Sequence, residues 1–557
     1  MDKNKIIKLL ELLNDQEFKK EVDSCFSSQD IEKHRTLNKV LELDEKIIDN
    51  ILETTDLKKK AYKFYLYVYN VRFRDENKEK LVKAIDQDNF PLFLLPYVKK
   101  LSCNIHNYDV DKQIEIFNKA SKEEEFQKEI FKVVKNKNLD FSKIKDILES
   151  LSEAVLDKSV KEATLILANQ KFAERYDITK IIAILAETVD EINLEMASDF
   201  LKEKNIENFE YLDYVLNYLT KSSFANSIVI FDVFKDSNVR NAWLSRDIAE
   251  SIANANSFEV AKYTGKVALN RKLQKEANYR DLVEIISMAR EKEMAGNGKI
   301  LLDDLIKNNL LKEVDVKKLL KGVVFAKDEE ISYVALSAAL NQTLRKNRNY
   351  EEIVFSLGYR NSDLELAKNG LDIALNSNMI ERNDLLLIVN CVSTDGVKEK
   401  KLKAFEIAKN KNLQKKRHFS DILSAVSHSF TKEQADLAYR YAMDENNKDL
   451  EDLDVITSFI GKAKTLLRSK IIYDLGYNKD VISLKEEGLE IMKEIFDANS
   501  QEEIDYILNT KYDINNLGSF TRLNKIFLKD HNTIINFLKT LGEDNINKDT
   551  KVRKMRK

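Results

Sequence analysis

The sequence AKNGLDIALN, at residues 367–376, decides the fold. It is typical of a helix that ends in a small residue, a hydrophobe and Asn. Seven residues make two helical turns, so Ala367 and Ala374 lie on one face, where a neighbouring helix can approach closely. The final phrase recurs as Ala268-Leu269-Asn270 and Ala339-Leu340-Asn341, and more loosely at Ala408 and Ala442.

The copies of this phrase are regularly spaced. Successive intervals are 71, 35, 34 and 34 residues, and the first is close to two periods. The missing copy falls near Leu301-Leu302-Asp303. Self-similarity at such a spacing is the signature of a repeat protein, so the sequence predicts a unit of about 34–35 residues.

Predicted helix starts keep the same register. Ser362, Thr431 and Ser500 each begin a capping-box pattern, S/T-x-x-E/Q, and each is 69 residues from the next. Ser257 stands 105 residues before Ser362, and Asp328 stands 34 before it. A side-chain oxygen at such a position can accept hydrogen bonds from the free N–H groups of a helix start. The caps and the small residues are independent markers, and both indicate the same repeat.

Each unit is predicted to be a helical hairpin. Its first helix carries apolar residues with helical spacing, as at Ile248, Ile252 and Ala255. One hairpin cannot bury both faces, so its neighbours must close the core. We therefore predict an all-α fold, a right-handed α-solenoid of stacked helical hairpins over residues 151–518. The other predicted regions are a divergent or non-repeat helical region at 1–150, a C-terminal helical cap at 519–547 and a basic disordered tail at 548–557.

In length and layout, the unit resembles the tetratricopeptide and pentatricopeptide class of repeats over about residues 158–518. This resemblance implies the superhelical architecture. It transfers no site residue, because the tetratricopeptide pattern of Trp, Leu-Gly, Tyr, Ala, Phe and Pro is missing. Trp243 is the single Trp, and both prolines, Pro91 and Pro96, precede the repeats. HEAT-like packing is the open alternative.

Composition argues against several classes of protein. The chain has 12 Gly and 2 Pro in 557 residues, too few for the turns of a large β-domain. The segment Gly296-Asn297-Gly298-Lys299 lacks the preceding strand and the spacing of a nucleotide-binding loop. A net charge of −3 gives no global attraction to nucleic acid or membrane. The Lys, Asn and Ile bias is typical of an AT-rich genome.

The sequence also predicts a cytoplasmic protein without cofactors. No secretory signal and no run long enough to span a membrane is found. Cys25, Cys103 and Cys391 lie far apart and are expected to be buried thiols. His418 and His428 are ten residues apart and do not share a helix face. We expect no metal, no catalytic residue and no small-molecule substrate.

Residues 62–73 combine aromatic side chains with Lys63 and Arg72. Aromatic residues among bases can stack nucleotides. The favoured interpretation is a helical core segment from which the long basic side chains extend toward solvent.

Charge at the hairpin ends is the most suggestive functional pattern. Second helices tend to begin with acids, such as Asp328 and Glu365, and to end in bases. A ridge of stacked bases could bind an acidic protein or a phosphate backbone. The helix dipole explains the sign of both charges without a partner. The densest basic stretch runs from Lys398 to Arg417. The predicted partner-binding residues are Arg271, Lys272, Arg345, Lys346, Arg348, Lys398, Lys400, Lys401, Lys411, Lys415, Lys416 and Arg417.

We therefore expect a non-enzymatic scaffold whose extended surface binds a protein partner, with an acidic protein as the favoured kind. One alternative is a nucleic-acid-binding repeat protein that uses the basic ridge. Another is a HEAT-like enzyme acting on nucleic acid, but no clustered His, Cys or Gly-rich motif supports it. A phage or mobile-element protein that blocks a host complex is compatible with the scaffold, and no residue selects it.

Overall fold

The computed structural model describes residues 2–25, 36–70, 73–103, 109–167, 175–203, 205–240, 244–483 and 485–507. These residues form helices and turns, and no strand occurs among them. The chain divides into two compact units, Met1–Ser287 and Met288–Lys557. The predicted cap at 519–547 and the predicted tail at 548–557 lie outside the described residues.

The first unit contains short helices connected by tight turns. Its α-helices are α1 Lys3–Glu11, α2 Gln16–Cys25, α3 Thr36–Glu42, α4 Glu45–Glu53, α5 Leu57–Phe64, α6 Asp75–Ile85, α7 Leu95–Cys103, α8 Val110–Lys122, α9 Glu124–Lys135, α10 Phe141–Ser152, α11 Asp157–Leu167, α12 Ile178–Ala186, α13 Glu191–Leu201, α14 Leu212–Lys221, α15 Phe224–Phe234, α16 Ser237–Arg240, α17 Ser245–Ala253, α18 Phe258–Ala268 and α19 Tyr279–Ser287. A π-helix, Tyr65–Tyr69, extends α5.

The second unit continues with helices of similar length. They are α20 Lys292–Lys307, α21 Val316–Val324, α22 Glu329–Leu340, α23 Tyr350–Gly358, α24 Leu364–Ala374, α25 Leu385–Ser393, α26 Lys398–Lys409, α27 Phe419–Ser427, α28 Lys432–Met443, α29 Leu453–Lys462, α30 Leu466–Tyr477, α31 Lys479–Ser483, α32 Glu486–Asp497 and α33 Gln501–Tyr506.

Two layers of helices organise the second unit. Layer A consists of α21, α23, α25, α27 and α29, and each helix packs against the next one in the layer. Layer B consists of α20, α22, α24, α26, α28 and α30, packed in the same way. Each layer-A helix also contacts the layer-B helices before and after it. The apolar stripe of every hairpin is thus covered by its neighbours, as the sequence predicts for a stack of hairpins.

The first unit has the same neighbour-to-neighbour packing. One layer runs through α6, α8, α10, α12, α14, α17 and α19, and the other through α9, α11, α13, α15 and α18. The helices before α6 surround Phe18 and Phe64, whose rings meet edge to face with 5.6 Å between centroids. The domain boundary at residue 150 stays a prediction, although this layering begins at Asp75.

The recurring Ala-Leu-Asn phrase encodes the turn that follows a layer-B helix. The Asn341 side chain accepts backbone hydrogen bonds from Thr343 and Leu344 at 3.0 and 2.8 Å, which folds Leu344–Lys346 into a 3-10 helix. The Leu344 side chain in this turn is fully buried. Asn270 and Asn410 accept equivalent bonds before the 3-10 helices Leu273–Lys275 and Leu413–Lys415.

Most of the predicted caps are confirmed. Thr431 forms a capping box with Gln434, and Ser257, Asp328 and Ser500 each accept a backbone hydrogen bond at a helix start. The prediction for Ser362 was wrong. The N-cap of α24 is Asp363, whose carboxylate accepts from the Leu366 N–H at 3.1 Å. The Ser362 hydroxyl donates instead to Asp395.

The aromatic segment is helical over residues 62–69, as favoured, and the helix ends before Asn70. Tyr62, Phe64 and Tyr65 are buried. The prediction that Lys63 extends toward solvent was wrong, because only 1% of its side chain is exposed. Its ammonium donates to the Thr54 hydroxyl at 2.7 Å and pairs with Asp86. Arg72 lies outside the described residues.

Helix α20 runs without a break through Gly296 and Gly298, so this segment forms no phosphate-binding loop. Within the described ranges, no helix combines the length and the apolar character needed to cross a bilayer.

Candidate functional site

The residues of the predicted basic ridge lie in both units and in different settings, some in loops after helices and some at the start of α26, and they differ in what they contact. Arg345 is a structural residue. Its side chain is 10% exposed, donates to the Ala339 carbonyl at 3.0 and 2.8 Å, and pairs with Asp304. Gln274 and Gln414 donate to the equivalent carbonyls of Ala268 and Ala408, each at 2.8 Å. Arg345 therefore closes a helix end, and a role for it in partner binding stays a prediction.

Other members of the ridge are exposed, and two of them form an ion pair or a hydrogen bond within the protein. Arg271 pairs with Asp236 at 2.8 Å, and Arg348 donates to the Asn383 carbonyl at 3.1 Å. Lys272 and Lys346 point into solvent. These four residues remain available in part to a partner.

The N-terminal part of the densest basic stretch is largely internal. Lys400 and Lys401 are 7% and 2% exposed. Lys400 donates to the Ser429 carbonyl, and Lys401 donates to the Asn390 carbonyl at 3.0 Å and the Thr394 hydroxyl at 3.2 Å. Burial lowers the pKa of Lys401. Both lysines close the C-terminal ends of layer-A helices, so their prediction as exposed contact residues is corrected.

Lys398 is exposed and already paired. It contacts Asp363 at 3.0 Å and Glu365 at 2.6 Å, in the preceding hairpin. The hydrogen bonds that the Lys398 ammonium donates to Glu365 and Asp363 raise the pKa of Lys398.

The structure does not bring the two ends of the stretch together. Lys398–Lys401 begin α26, whereas Lys411–Arg417 follow its other end. The helix has 12 residues, which at 1.5 Å per residue separates its ends by about 18 Å. Lys411, Lys415 and Arg417 are exposed. Lys416 donates to the Leu450 carbonyl at 2.8 Å.

An acidic loop lies beside these exposed bases. Residues 444–454, DENNKDLEDLD, carry six acids and one lysine, and the Lys416 hydrogen bond joins the two loops. Burial and the nearby carboxylates of Glu451, Asp454 and Glu486 raise the pKa of Asp452. The basic loop therefore faces negative charge within its own unit, and a continuous positive ridge does not form there.

Three potential metal ligands also meet at this edge. One ligand atom each from His418, Asp421 and Asp454 lies within 4.8 Å of the others. Sequence spacing missed this group because Asp454 belongs to the next hairpin. The His418 and Asp421 side chains are more than half exposed, and Lys416 and Arg417 directly precede His418. This neighbouring positive charge disfavours a cation.

The opposite edge of the second unit exposes apolar side chains that sequence reasoning missed. Tyr359, Val397 and Phe430 lie on three consecutive turns between layer A and layer B, and Phe430 is 69% exposed. A hydrophobe directly before an N-cap usually packs against the fourth helical residue. Phe430 precedes Thr431 and remains in solvent, so the cap does not explain it. A hydrophobe directly before a cap residue, as Phe430 is before Thr431, was the sequence signal that could have pointed to this surface.

The chain matches no protein-family model, and it matches no curated protein in sequence. Function is therefore inferred from the placement of its side chains.

Proposed function

We propose that the protein is a non-enzymatic scaffold that binds a protein partner through the surface of its stacked hairpins. The observation that carries this proposal is the row of exposed apolar residues Tyr359, Val397 and Phe430 on consecutive turns. A contiguous group of exposed apolar side chains is typical of protein–protein contact sites, and consecutive turns place these three residues along one edge. A stacked array suits such a role because each hairpin adds one more turn to a continuous edge.

The proposed arrangement within each unit is a right-handed α-solenoid with a period of about 34–35 residues. Interactions between equivalent positions support the period. Arg271 pairs with Asp236 and Lys398 with Asp363, each 35 residues apart, and Asn297 donates to Ser332, also 35 residues apart. The resemblance to tetratricopeptide and pentatricopeptide repeats supports the handedness. The buried cysteines Cys25 and Cys391 are in keeping with a reducing, cytoplasmic setting.

Nucleic-acid binding through the basic ridge is the second candidate. Lys272, Lys346, Lys411, Lys415 and Arg417 are its exposed bases. The burial of Lys400 and Lys401 and the acidic loop beside Lys416 weaken it, because phosphate binding requires uncompensated surface charge.

The discriminating experiment is purification of the tagged chain from its own organism, with and without nuclease, followed by mass spectrometry. A stoichiometric protein partner that resists nuclease supports the scaffold. A complex lost on nuclease treatment contradicts it.

Charge reversal gives the second arm of the same test. The triple variant Lys415→Glu, Lys416→Glu and Arg417→Glu should keep a protein partner that binds the apolar turns. Fluorescence anisotropy with labelled oligonucleotides should show no tight, salt-sensitive complex for the wild type. Tight binding that falls steeply with salt and disappears in the triple variant would favour nucleic acid instead.

A further inference from the structure

A group of exposed apolar and basic side chains lies at three consecutive turns of the second unit. We call it the turn patch, and it consists of Val397, His428, Phe430, Lys462 and Lys464. Val397 is 40% exposed and Phe430 69% exposed. His428 and Lys464 are exposed, and Lys462 is half-buried.

Direct contacts hold these turns together. The Lys400 ammonium donates to the Ser429 carbonyl, which ties the start of α26 to the turn that carries Phe430. The Gln434 amide donates to the Ala463 carbonyl at 2.6 Å, which ties the start of α28 to the turn that carries Lys464. The patch is therefore presented by rigid, hydrogen-bonded backbone.

Close helix packing brings the basic residues to the same place. Gly461 lies against the backbone of Ala425, so the C-terminal ends of α29 and α27 touch. Lys462 follows Gly461 directly, and His428 follows α27. Burial, together with the positive charges of Lys401, Lys462 and Lys400, lowers the pKa of His428.

The positive charge of the patch is not balanced by acids. Among the described residues, no carboxylate lies within 4.0 Å of the Lys400, Lys462 or Lys464 ammonium groups. Asp395 keeps its negative charge and attracts the buried Lys401 ammonium, and Glu399 pairs with Lys432. Glu433 is the remaining exposed acid at the start of α28. The C-terminal dipoles of α27 and α29 supply about half a negative charge each, so positive charge remains.

We propose that the turn patch docks an acidic, hydrophobic segment of a protein partner. An apolar side chain of the segment packs on Phe430 and Val397, and a carboxylate of the segment lies beside Lys462 and Lys464. The positive charge of Lys462 and Lys464 favours an acidic partner, because opposite charges attract across an interface. The exposed Phe430 ring favours a partner with an apolar anchor residue. This inference rests on the proposed scaffold function and names the chemistry of its partner.

The test uses the full chain as bait for a displayed library of random peptides of about twelve residues. Enriched peptides are expected to carry Asp or Glu next to Leu, Phe or Trp. Their dissociation constants, measured by fluorescence polarisation with labelled peptides, should rise about tenfold for Phe430→Ser and for the double variant Lys462→Glu with Lys464→Glu.

Tyr333→Ser is the matched control, because Tyr333 is 65% exposed on α22, away from the turns. It should change the dissociation constants less than about twofold. Circular dichroism and thermal melting verify that each variant folds, which is expected because the substituted side chains lie at the surface.

Several results would overturn the docking site. They are failure to enrich any peptide, enriched peptides without acids, and equal binding by the wild type and both patch variants. A single-stranded oligonucleotide that binds the patch and is lost in the double lysine variant would replace the protein segment with nucleic acid. A nuclease-resistant native partner that still binds both patch variants would leave the scaffold function standing and remove only this site.

Discussion

The backbone of Gly461 lies against the carbonyl oxygen of Ala425, where layer-A helices α29 and α27 meet. A methyl group on Gly461 would overlap that oxygen, so one of the two helices would have to move. We expect Gly461→Ala to lower the free energy of unfolding by about 2 kcal/mol. Urea denaturation followed by circular dichroism measures this change.

The control for that prediction is Gly296→Ala, in the middle of α20. This residue is half-buried, and alanine is the better helix former, so stability should rise by up to about 1 kcal/mol. Equal changes in the two variants would show that the contact between Gly461 and Ala425 does not limit packing.

Among the described ion pairs of the first unit, the pair of Lys63 with Asp86 has the most deeply buried ammonium group. The Lys63 side chain is 1% exposed, whereas that of Asp86 is 36% exposed. Asp86→Asn leaves the buried ammonium without its counter-charge. It should lower the free energy of unfolding by about 2 kcal/mol, less than for a fully buried pair because water reaches Asp86. Asp111→Asn, which breaks the exposed pair with Lys80, should have a much smaller effect on chemical denaturation.

The buried, titrating side chain of Lys401 should make the stability of the protein depend on pH. Burial lowers its pKa in the folded chain, so the unfolded chain binds the proton more readily. Stability should therefore rise with pH from below that lowered pKa up to about 10.4, the unfolded value. Lys401→Met preserves side-chain volume and removes this titration. The slope of unfolding free energy against pH between about pH 7 and 9.5 should be smaller in this variant.

Lys398→Met is the control for the pH series. Hydrogen bonds donated by the Lys398 ammonium to Glu365 and Asp363 raise the pKa of Lys398, so its contribution to stability is lost only above the unfolded value of about 10.4. The slope between about pH 7 and 9.5 should stay as in the wild type. Identical slopes for wild type and Lys401→Met would refute the assignment to Lys401.

Arg345 should behave as a helix-closing residue. Arg345→Ala leaves the Ala339 carbonyl and Asp304 without this donor and should cost about 2 kcal/mol of stability. Arg345→Gln should recover most of the loss, because Gln274 and Gln414 perform the same task in other repeats. Thermal melting of the three proteins provides the comparison. No recovery by glutamine would indicate that the pair with Asp304 matters more than the backbone contact.

The stacked hairpins were predictable because their markers act locally. Asn341 forms its turn with residues two and three positions away, and Thr431 caps α28 through Gln434. Such short-range interactions recur with the repeat, so the sequence displays them. The N-cap of α24 was wrongly predicted to be Ser362. Asp363, the next residue, is also a good N-cap and occupies the position before the first helical residue.

Which basic side chains are exposed to a partner, and which are paired or buried, could not be predicted in the same way. The sequence places Lys398, Lys400 and Lys401 together, yet the first pairs with Asp363 and the other two are buried. Their partners belong to other elements of the stack, so sequence proximity carries no information about them.

The sequence by itself determined the helical composition, the hairpin unit and the positions of most caps, because these depend on contacts within a turn or two of helix. Tertiary structure alone decided which charges are neutralised and which apolar side chains face water. Those outcomes depend on which residues of adjacent hairpins meet. The turn patch is the clearest case, since the contact of Gly461 with Ala425 brings together the helix ends that are followed by Lys462 and His428.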